Sequence, residues 1–428
     1  MNGAEATLKA LADAGVDACF TNPGTSEMQM VAAFDREPRI RPVLCLFEGV
    51  ATGAADGYGR IAGKPATTLL HLGPGLANGG ANLHNARRAH TPMVNIVGDH
   101  AISHQKLDAP LQSDIVSLAR PYSSWIRSAA TPDAASRLAR EAVAASLAPP
   151  GAISTLVLPA DCCWNETTKQ HMSDEVVARA PTLHTSQEHI EAAARALRSA
   201  RKPVVLLGGS GCTERGLMAA ARLHASGVRI MMDTFVSRLP RGAGRFAAER
   251  LPYFAEMALV KLHDTDLMLL AGARSPVAFF AYPDKPSTLV PAYCEVQTLA
   301  ALHEDVTTAL ESLAHAVGAK SASATASYAM PGACSGALTP ATAGVSLTRW
   351  MPAGSIVCDD AVTAGLSVFE ATIPAQPHDW LMLTGGGHWR GHAHGNRCGR
   401  GSARPQSHQP QWRWCRSVHV TESLDHGA

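Results

Sequence analysis

The stretch Val43–Arg60, VLCLFEGVATGAADGYGR, joins a short apolar run to a segment of small residues and places one carboxylate, Glu48, at the junction. The apolar run is typical of a buried β-strand, and the small residues after it are typical of a helix packed closely on a sheet. A structural interpretation is that Glu48 lies in the first turn of that helix, where the helix dipole favours an acid. A chemical interpretation is that Glu48 marks a ligand site, because α/β sheets bind ligands at the carboxyl ends of parallel strands.

Composition narrows the class of protein further. The 428 residues are 46% hydrophobic but only 5% aromatic, which favours alanine- and glycine-rich α/β layers over a β-sandwich. A formal net charge of +1 gives no electrostatic basis for binding nucleic acid or an anionic membrane. The N-terminal segment has no basic region and no long apolar core, so we expect no signal peptide and no membrane span. Ten scattered cysteines favour reduced thiols and a cytoplasmic location.

The order of strand-like and helix-like segments predicts the domain organisation. Short apolar strands alternate with helices along most of the chain, which predicts three-layer αβα domains with parallel sheets. We expect a first domain over residues 1–165, a second over 187–318 after a polar linker, and an incomplete third over 338–385. The stretch before the third domain is low in complexity and poor in large apolar residues, so it is interpreted as an exposed linker.

The composition changes abruptly at Gly386, and residues 386–428 contain six His, three Trp and two Cys without apolar periodicity. A His/Cys metal tract, an Arg/Trp nucleic-acid segment and a disordered tail are the ordinary interpretations. Translating one base later turns every Trp codon into a Gly codon and permits a strand followed by Gly-Asp-Gly between Ala403 and Arg416. We therefore hypothesise that this aberrant tail is a frameshifted translation of the missing domain, which the coding DNA would test.

Four motifs in fixed order carry a family resemblance. They are NPGTSE (22–27), FEGVATGAADGYGR (47–60), LHLGPGLANGGANLHNA (70–86) and DWLMLTGG (379–386). With these motifs the chain resembles the thiamine-diphosphate-dependent enzymes of the acetolactate synthase and benzoylformate decarboxylase superfamily, up to about Gly386. The resemblance implies a pyrimidine-binding domain at 1–165, a middle domain at 187–318 and the start of a diphosphate-binding domain at 338–385.

The resemblance also implies roles for individual residues. The glutamate that matches Glu48 hydrogen-bonds N1′ of the cofactor's aminopyrimidine and exchanges a proton with it. His71 matches an active-site histidine of the decarboxylases, although a structural role is the alternative and their second histidine has no equivalent in GARSPVAFFAYP (272–283). Thr25 matches a hydroxyl that contacts the substrate carboxylate, with turn chemistry as the alternative.

Four further residues are expected near the cofactor or substrate. Gly73 and Gly75 would let the backbone pass close to the cofactor ring, or would simply form a tight turn. Asn78 would bind the cofactor or cap the helix that it begins. Gln112 matches a segment near the acetolactate synthase active site. Asp56 is expected to serve packing, and no residue is assigned as a metal ligand.

The activity implied by the resemblance is decarboxylation of a small 2-oxo acid with carboligation, as in branched-chain amino acid biosynthesis. The alternatives are a non-ligating benzoylformate-type decarboxylase, favoured by Thr25 and His71, and an inactive truncated homologue that only binds a partner. Thiamine diphosphate and Mg²⁺ are the expected cofactors, although the Gly-Asp-Gly element and the downstream Asn that anchor them are missing from the chain as translated. FAD is not expected, because LLGGSG (206–211) is weak evidence for a dinucleotide loop. A homodimer or tetramer is expected of the intact protein.

Overall fold

A computed structural model describes residues 1–168, 180–321 and 325–387, together with the backbone of a strand at Ser417–Val420. The described residues form two compact units. Unit 1 combines those of Met1–Ala180 with 383–387, and unit 2 comprises those of Pro181–Met382. The predicted aberrant tail at 386–428 lies outside the described residues, apart from two glycines and that strand, and the three predicted domain ranges stay predictions.

Unit 1 is built on six strands. They are β1 (Ala18–Asn22), β2 (Arg41–Leu44), β3 (Ala66–Leu70), β4 (Met93–Asp99), β5 (Trp125–Ser128) and β6 (Ile153–Pro159). Every pairing is parallel, and the order across the sheet is β2-β1-β3-β4-β6-β5. Strands β3, β4 and β6 are buried along their whole length, as expected for a parallel sheet with both faces covered.

Helices cover both faces of this sheet. They are α1 (Gly3–Asp13), α2 (Met28–Ala33), α3 (Glu48–Ala62), α4 (Leu72–Asn78), α5 (Gly80–Arg88), α6 (Ile102–Gln105), α7 (Ile115–Ala119), α8 (Pro132–Leu147) and α9 (Ala160–Trp164). Side chains of one strand alternate between two separate hydrophobic clusters. In β4, Val94 and Ile96 pack in one cluster, and Met93 and Val97 pack in the other. The predicted three-layer α/β arrangement is therefore confirmed.

Unit 2 contains a parallel sheet and a smaller sheet. Its strands are β7 (Pro203–Leu207), β8 (Arg229–Met232), β9 (Leu239–Arg241), β10 (Glu249–Arg250), β11 (Leu267–Ala271), β12 (Glu295–Ala300), β13 (Ser355–Asp359) and β14 (His378–Leu381). The larger sheet has the order β10-β8-β7-β11-β12 with parallel pairings throughout. In the smaller sheet β13 pairs parallel to β14, whereas β9 pairs antiparallel to β14.

The helices of unit 2 are α10 (Gln187–Ser199), α11 (Glu214–Ala225), α12 (Ala255–Leu262), α13 (Val306–Ala316), α14 (Pro340–Trp350) and α15 (Ala364–Ala371). The strands of unit 2 alternate with helices along most of this unit, as the sequence predicts. The three-residue strand β9 was not predicted, because it is too short to show the alternation of apolar and polar residues that is typical of a strand. In the described ranges, every helix is too short or too polar to cross a bilayer.

Candidate active site

Glu48 begins α3 at the carboxyl edge of the unit 1 sheet. Strand β2 ends at Leu44, and residues 45–47 form a bend that is held by a 2.7 Å hydrogen bond from Asn22 Nδ2 to the Cys45 carbonyl oxygen. Phe47 is the extended residue before the helix, so the Glu48 carboxylate lies in the first helical turn, where the dipole stabilises it. Only 9% of Glu48 is exposed, so the structural and the chemical interpretations fit the same buried position.

The Glu48 carboxylate lies beside two other candidate residues. Asn78 Nδ2 donates a 3.1 Å hydrogen bond to Glu48 Oε2. A Cβ added to Gly75 would lie 3.4 Å from Glu48 Oε1, at van der Waals contact, so the Gly75 backbone lies directly beside that oxygen. The structure therefore brings Glu48, Gly75 and Asn78 together.

The predicted glycine-rich turn after β3 is corrected by the structure. Helix α4 begins at Leu72, so Gly73 and Gly75 are helical and Asn78 ends this helix instead of beginning the next one. Leu72 takes a left-handed φ of 48°, which turns the chain sharply from the strand into the helix. Pro74 is tolerated in the first turn because its missing N–H would have no intrahelical partner there.

His71 directly follows β3, and its imidazole contacts a buried acid. Its Nδ1 lies 2.8 Å from Glu27 Oε2 and 3.1 Å from Ser26 Oγ. Glu27 is 1% exposed, and it also accepts hydrogen bonds from Ser26 Oγ at 2.6 Å and from the Gly24 N–H at 2.8 Å. Because an ionised carboxylate only accepts, Nδ1 carries a proton and Nε2 is the nitrogen left to exchange one with a ligand.

Two glycines make room for this pair. A Cβ on Gly24 would lie 2.3 Å from His71 Nδ1, and a Cβ on Gly98 would lie 1.7 Å from Glu27 Oε1. Both separations are far below van der Waals contact. The imidazole and the carboxylate are thus held in place by backbone as well as by hydrogen bonds.

Thr25 and Gln112 lie outside these contacts. Thr25 begins the 3₁₀ turn Thr25–Glu27, and its side chain is exposed. Gln112 lines a cavity of about 450 Å³ together with Asp99, and its Oε1 is buried without a hydrogen-bond partner among the described residues. Gly73 packs beside this segment, since a Cβ there would lie 2.0 Å from Ser113 Oγ. Burial raises the pKa of Asp99, although the hydrogen bonds that it accepts oppose the shift.

The sequence analysis missed Glu27 and Ser26 as partners of His71. Both residues belong to the quoted NPGTSE motif, but Ser26 was considered only as a possible cap of the next helix and Glu27 was given no role. Strand register contains the missing information, because β1 pairs with β3 and Asn22 stands next to Leu70. The residues that follow Asn22 and those that follow Leu70 must therefore meet at the sheet edge.

Comparisons with known proteins agree with this geometry. Residues 1–118 match the family described as thiamine pyrophosphate enzyme, N-terminal TPP binding domain. A Mycobacterium tuberculosis protein with the provisional name acetolactate synthase large subunit IlvX is 49% identical over 387 residues, which are 90% of this chain and 74% of that protein. The acetolactate synthase large subunit of Haemophilus influenzae is 26% identical over 304 residues, and this chain spans about half of it, 51%.

A solved structure shares the fold. The thiamine diphosphate-dependent 4-hydroxybenzoylformate decarboxylase of Rhodococcus jostii RHA1 superimposes with a TM-score of 0.80 at 21% identity, over 94% of this chain and 79% of that one. The likeness supports the fold, while the 49% identity supports the family. The chain therefore belongs to the family of thiamine-diphosphate-dependent enzymes that contains the acetolactate synthase large subunits and the benzoylformate decarboxylases.

Proposed function

We propose that this protein uses thiamine diphosphate to decarboxylate a small 2-oxo acid and joins the product to a second 2-oxo acid, as an acetolactate synthase does. The observation that carries the proposal is the buried Glu48 carboxylate at the sheet edge, hydrogen-bonded by Asn78 and next to the Gly75 backbone. An acid in that position is suited to exchange a proton with a heteroaromatic ring nitrogen.

The residues fit the pyrimidine end of the cofactor. Glu48 offers a carboxylate to a ring nitrogen, Asn78 orients that carboxylate, and Gly75 places no side chain against it. The diphosphate end has no comparable fit, because no group of three or more potential metal-ligating side chains occurs within the described ranges. We therefore assign no residue to Mg²⁺ and derive no step through it.

The bound cofactor supplies an electron sink for the pair of electrons left when carbon dioxide departs. Glu48 holds and returns a proton at its carboxylate, and Asn78 fixes the direction of that carboxylate through its amide. Burial of Glu48 limits its contact with water, which strengthens a hydrogen bond to a bound ring. We propose that Thr25 and Gln112 contact the substrate and that Gly73 keeps the Gln112 segment close to α4.

A second candidate is a simple decarboxylase that releases an aldehyde. The His71–Glu27 contact favours it, because a histidine with Nδ1 held by a buried acid presents Nε2 as a proton donor. In a simple decarboxylase His71 would supply a proton to the decarboxylated fragment, which would leave as the aldehyde. In a synthase that fragment would instead be joined to a second 2-oxo acid. The two candidates differ only in this final partner.

Product analysis distinguishes the candidates. The purified chain is incubated with thiamine diphosphate, Mg²⁺ and either pyruvate or benzoylformate, and the acetohydroxy acid and aldehyde products are quantified. We expect Glu48→Gln to lower turnover by a factor of about 10² or more, and Glu141→Gln on the exposed face of α8 to leave it unchanged. Turnover that survives Glu48→Gln would refute the proposal for either product.

Cofactor binding is measured separately by calorimetric titration with thiamine diphosphate and Mg²⁺. Heat that is lost in Glu48→Gln supports the assigned pyrimidine site. An absence of heat in the wild-type chain would favour the inactive, partner-binding alternative. This measurement distinguishes a chain that binds no cofactor from one that binds it without turnover.

We propose a homodimer as the functional assembly, with the edge of the site next to Glu48 at the interface. Leu46 is 93% exposed and Leu44 is 65% exposed, an arrangement of large apolar side chains that suits contact with a second copy. Analytical ultracentrifugation of Leu46→Arg tests it, and a sedimentation coefficient equal to that of the wild-type chain would contradict it.

We also propose that the protein holds no FAD and works in the cytoplasm. Gly208 in the LLGGSG segment packs against backbone, since a Cβ there would lie 2.3 Å from the Gly272 carbonyl oxygen, and this contact explains that glycine without a dinucleotide. The cysteines of the described residues are free thiols, which suits a reducing compartment. Absorbance near 450 nm in the purified protein would overturn the proposal on FAD.

A further inference from the structure

Unit 2 contains an apolar cavity that the proposed function does not use. Its volume is about 590 Å³, which lies within the range of small-molecule sites. Residues around β9 and β10 form one wall, and α15 with its flanking residues forms the other. The lining is mainly apolar and includes the aromatic side chains of Phe246, Tyr253, Phe254 and Phe369.

Arg241, in the wall of this cavity, has one unsatisfied nitrogen. The residue is 6% exposed, its Nη2 donates to the Phe369 carbonyl oxygen over 2.7 Å, and its guanidinium carbon lies 3.2 Å from the centroid of the Phe369 ring. Its Nη1 is buried without a hydrogen-bond partner among the described residues. A buried donor without an acceptor is costly, so a ligand that accepts from Nη1 would recover this energy.

The backbone keeps Arg241 in this position. It is the last residue of β9 and pairs with His378 of β14. The next residue, Gly242, has a φ of 95°, and a Cβ there would lie 2.5 Å from the Gln376 carbonyl oxygen. Only glycine suits this turn, so the arginine is presented by a rigid strand end rather than by a mobile loop.

Four cations line the cavity, Arg241, Arg245, Arg250 and Lys261, against two acids, so the lining has a formal charge of +2. Arg250 also lines it, with its Nε donating to the Thr234 carbonyl oxygen over 2.6 Å. The lining acids are Glu249 and Glu370, and Glu249 is already ion-paired with Lys261 and with Arg229. Burial lowers the pKa of Arg241 to about 9 and also lowers that of Arg250, because both guanidinium groups are held away from water.

We propose that this cavity binds a carboxylate with an aromatic or branched apolar body. The carboxylate accepts from Arg241 Nη1, near Arg250, and the apolar body packs against Phe246, Tyr253 and Phe254. The carboxylate offsets part of the positive charge of the lining.

Calorimetric titration of the full chain tests the proposal, with 2-naphthoate as the probe and 2-naphthamide as its neutral analogue. We expect saturable binding of the carboxylate and binding at least tenfold weaker for the amide, since a hydrogen bond between charged groups is lost. Arg241→Gln should weaken 2-naphthoate binding at least tenfold. Arg201→Gln is the matched control, because the Arg201 side chain is 93% exposed and lies outside the cavity lining.

Thermal unfolding separates a ligand site from a structural arginine. Arg241→Gln removes a buried charge that has no ion-pair partner in the described part of the chain, so we expect its melting temperature to equal or exceed that of the wild type. Leu366→Trp, on the exposed rim of the cavity, should block binding of 2-naphthoate with the fold intact. This variant tests the proposed site even if Arg241→Gln does not fold. Absence of saturable binding in the wild type, or equal binding by the amide or by a folded cavity variant, would overturn the proposal.

Discussion

A buried ion pair supports the helix that Glu48 begins. Asp56 and Arg60 are one turn apart on α3, and their side chains are 0% and 1% exposed. Asp56 Oδ1 lies 2.7 Å from Arg60 Nε, and Oδ2 lies 2.9 Å from Nη2. Thr91 Oγ1 also donates to Asp56 Oδ1 over 2.5 Å. The packing role predicted for Asp56 thus takes the form of a fully buried, two-point contact.

Asp56→Asn keeps the shape of this side chain and removes its charge, so Arg60 is left as a buried cation. Breaking a buried ion pair from one side costs about 3–5 kcal/mol. Arg60 keeps its 2.9 Å hydrogen bond to Thr384 Oγ1, so we expect a loss near the lower end, about 3 kcal/mol. The double variant Asp56→Asn/Arg60→Met should lose about 2 kcal/mol less than the sum of the single variants, because neither charge then remains alone.

Hydrogen exchange of the α3 amides measures this loss within unit 1, without requiring that the two units unfold together. The matched control is Glu141→Gln, because Arg137 and Glu141 have the same spacing on α8 but side chains that are 61% and 43% exposed. An exposed pair of this kind is worth about 0.5 kcal/mol or less. If Asp56→Asn destabilised α3 by under about 1 kcal/mol, the reasoning from burial would be wrong.

Three further predictions concern protonation, thiol reactivity and the candidate site. Burial lowers the pKa of His378 to about 4, so between about pH 6.5 and pH 4 only the unfolded chain binds this proton. The free energy of unfolding should fall by about 3 kcal/mol over that range on acidification, and His378→Gln should show a shallower fall in urea titrations. Iodoacetamide should modify the exposed Cys334 in the native chain and spare Cys212, because burial raises the pKa of the Cys212 thiol to about 12. Mass spectrometry that shows early reaction at Cys212 would contradict this. Gly24→Ala should displace the His71 ring and lower turnover about tenfold or more. The control is Gly332→Ala, where an added Cβ meets open space, and an equal loss of turnover there would contradict a specific effect on His71.

The fold class was predictable because a strand that is buried on both faces requires apolar residues at most of its positions, and such a run is visible in the sequence. Strand β7 is a continuous apolar run, β3 and β4 are mainly apolar, and each is separated from the next strand by a helix-forming segment. Strand β9 has no recognisable sequence pattern, because three residues are too few to show the apolar alternation of a strand. Its partner β14 also lies far along the chain. The same limit applies to the start of α4, where Gly-Pro-Gly indicates a turn but the chain continues as a helix.

The candidate site was predictable in part for a similar reason. The position of Glu48 at a strand end could be deduced from neighbouring residues. The contact of His71 with Glu27 could not, because it joins residues 44 positions apart through the pairing of β1 with β3. The unpaired nitrogen of Arg241 is a property of the folded cavity alone, since nothing in the residues around it distinguishes it from other arginines.

The sequence by itself therefore determined which segments become strands and helices, which acid stands at a strand end, and which family motifs the chain contains. The tertiary structure decided which side chains meet at the sheet edge, where the buried charges find partners, and where unit 2 leaves an apolar cavity. The physical reason is the distance along the chain over which each kind of interaction acts. Apolar periodicity and turn chemistry act between neighbours in the chain, whereas hydrogen-bond partners, burial and cavities depend on how strands distant in sequence pair and pack.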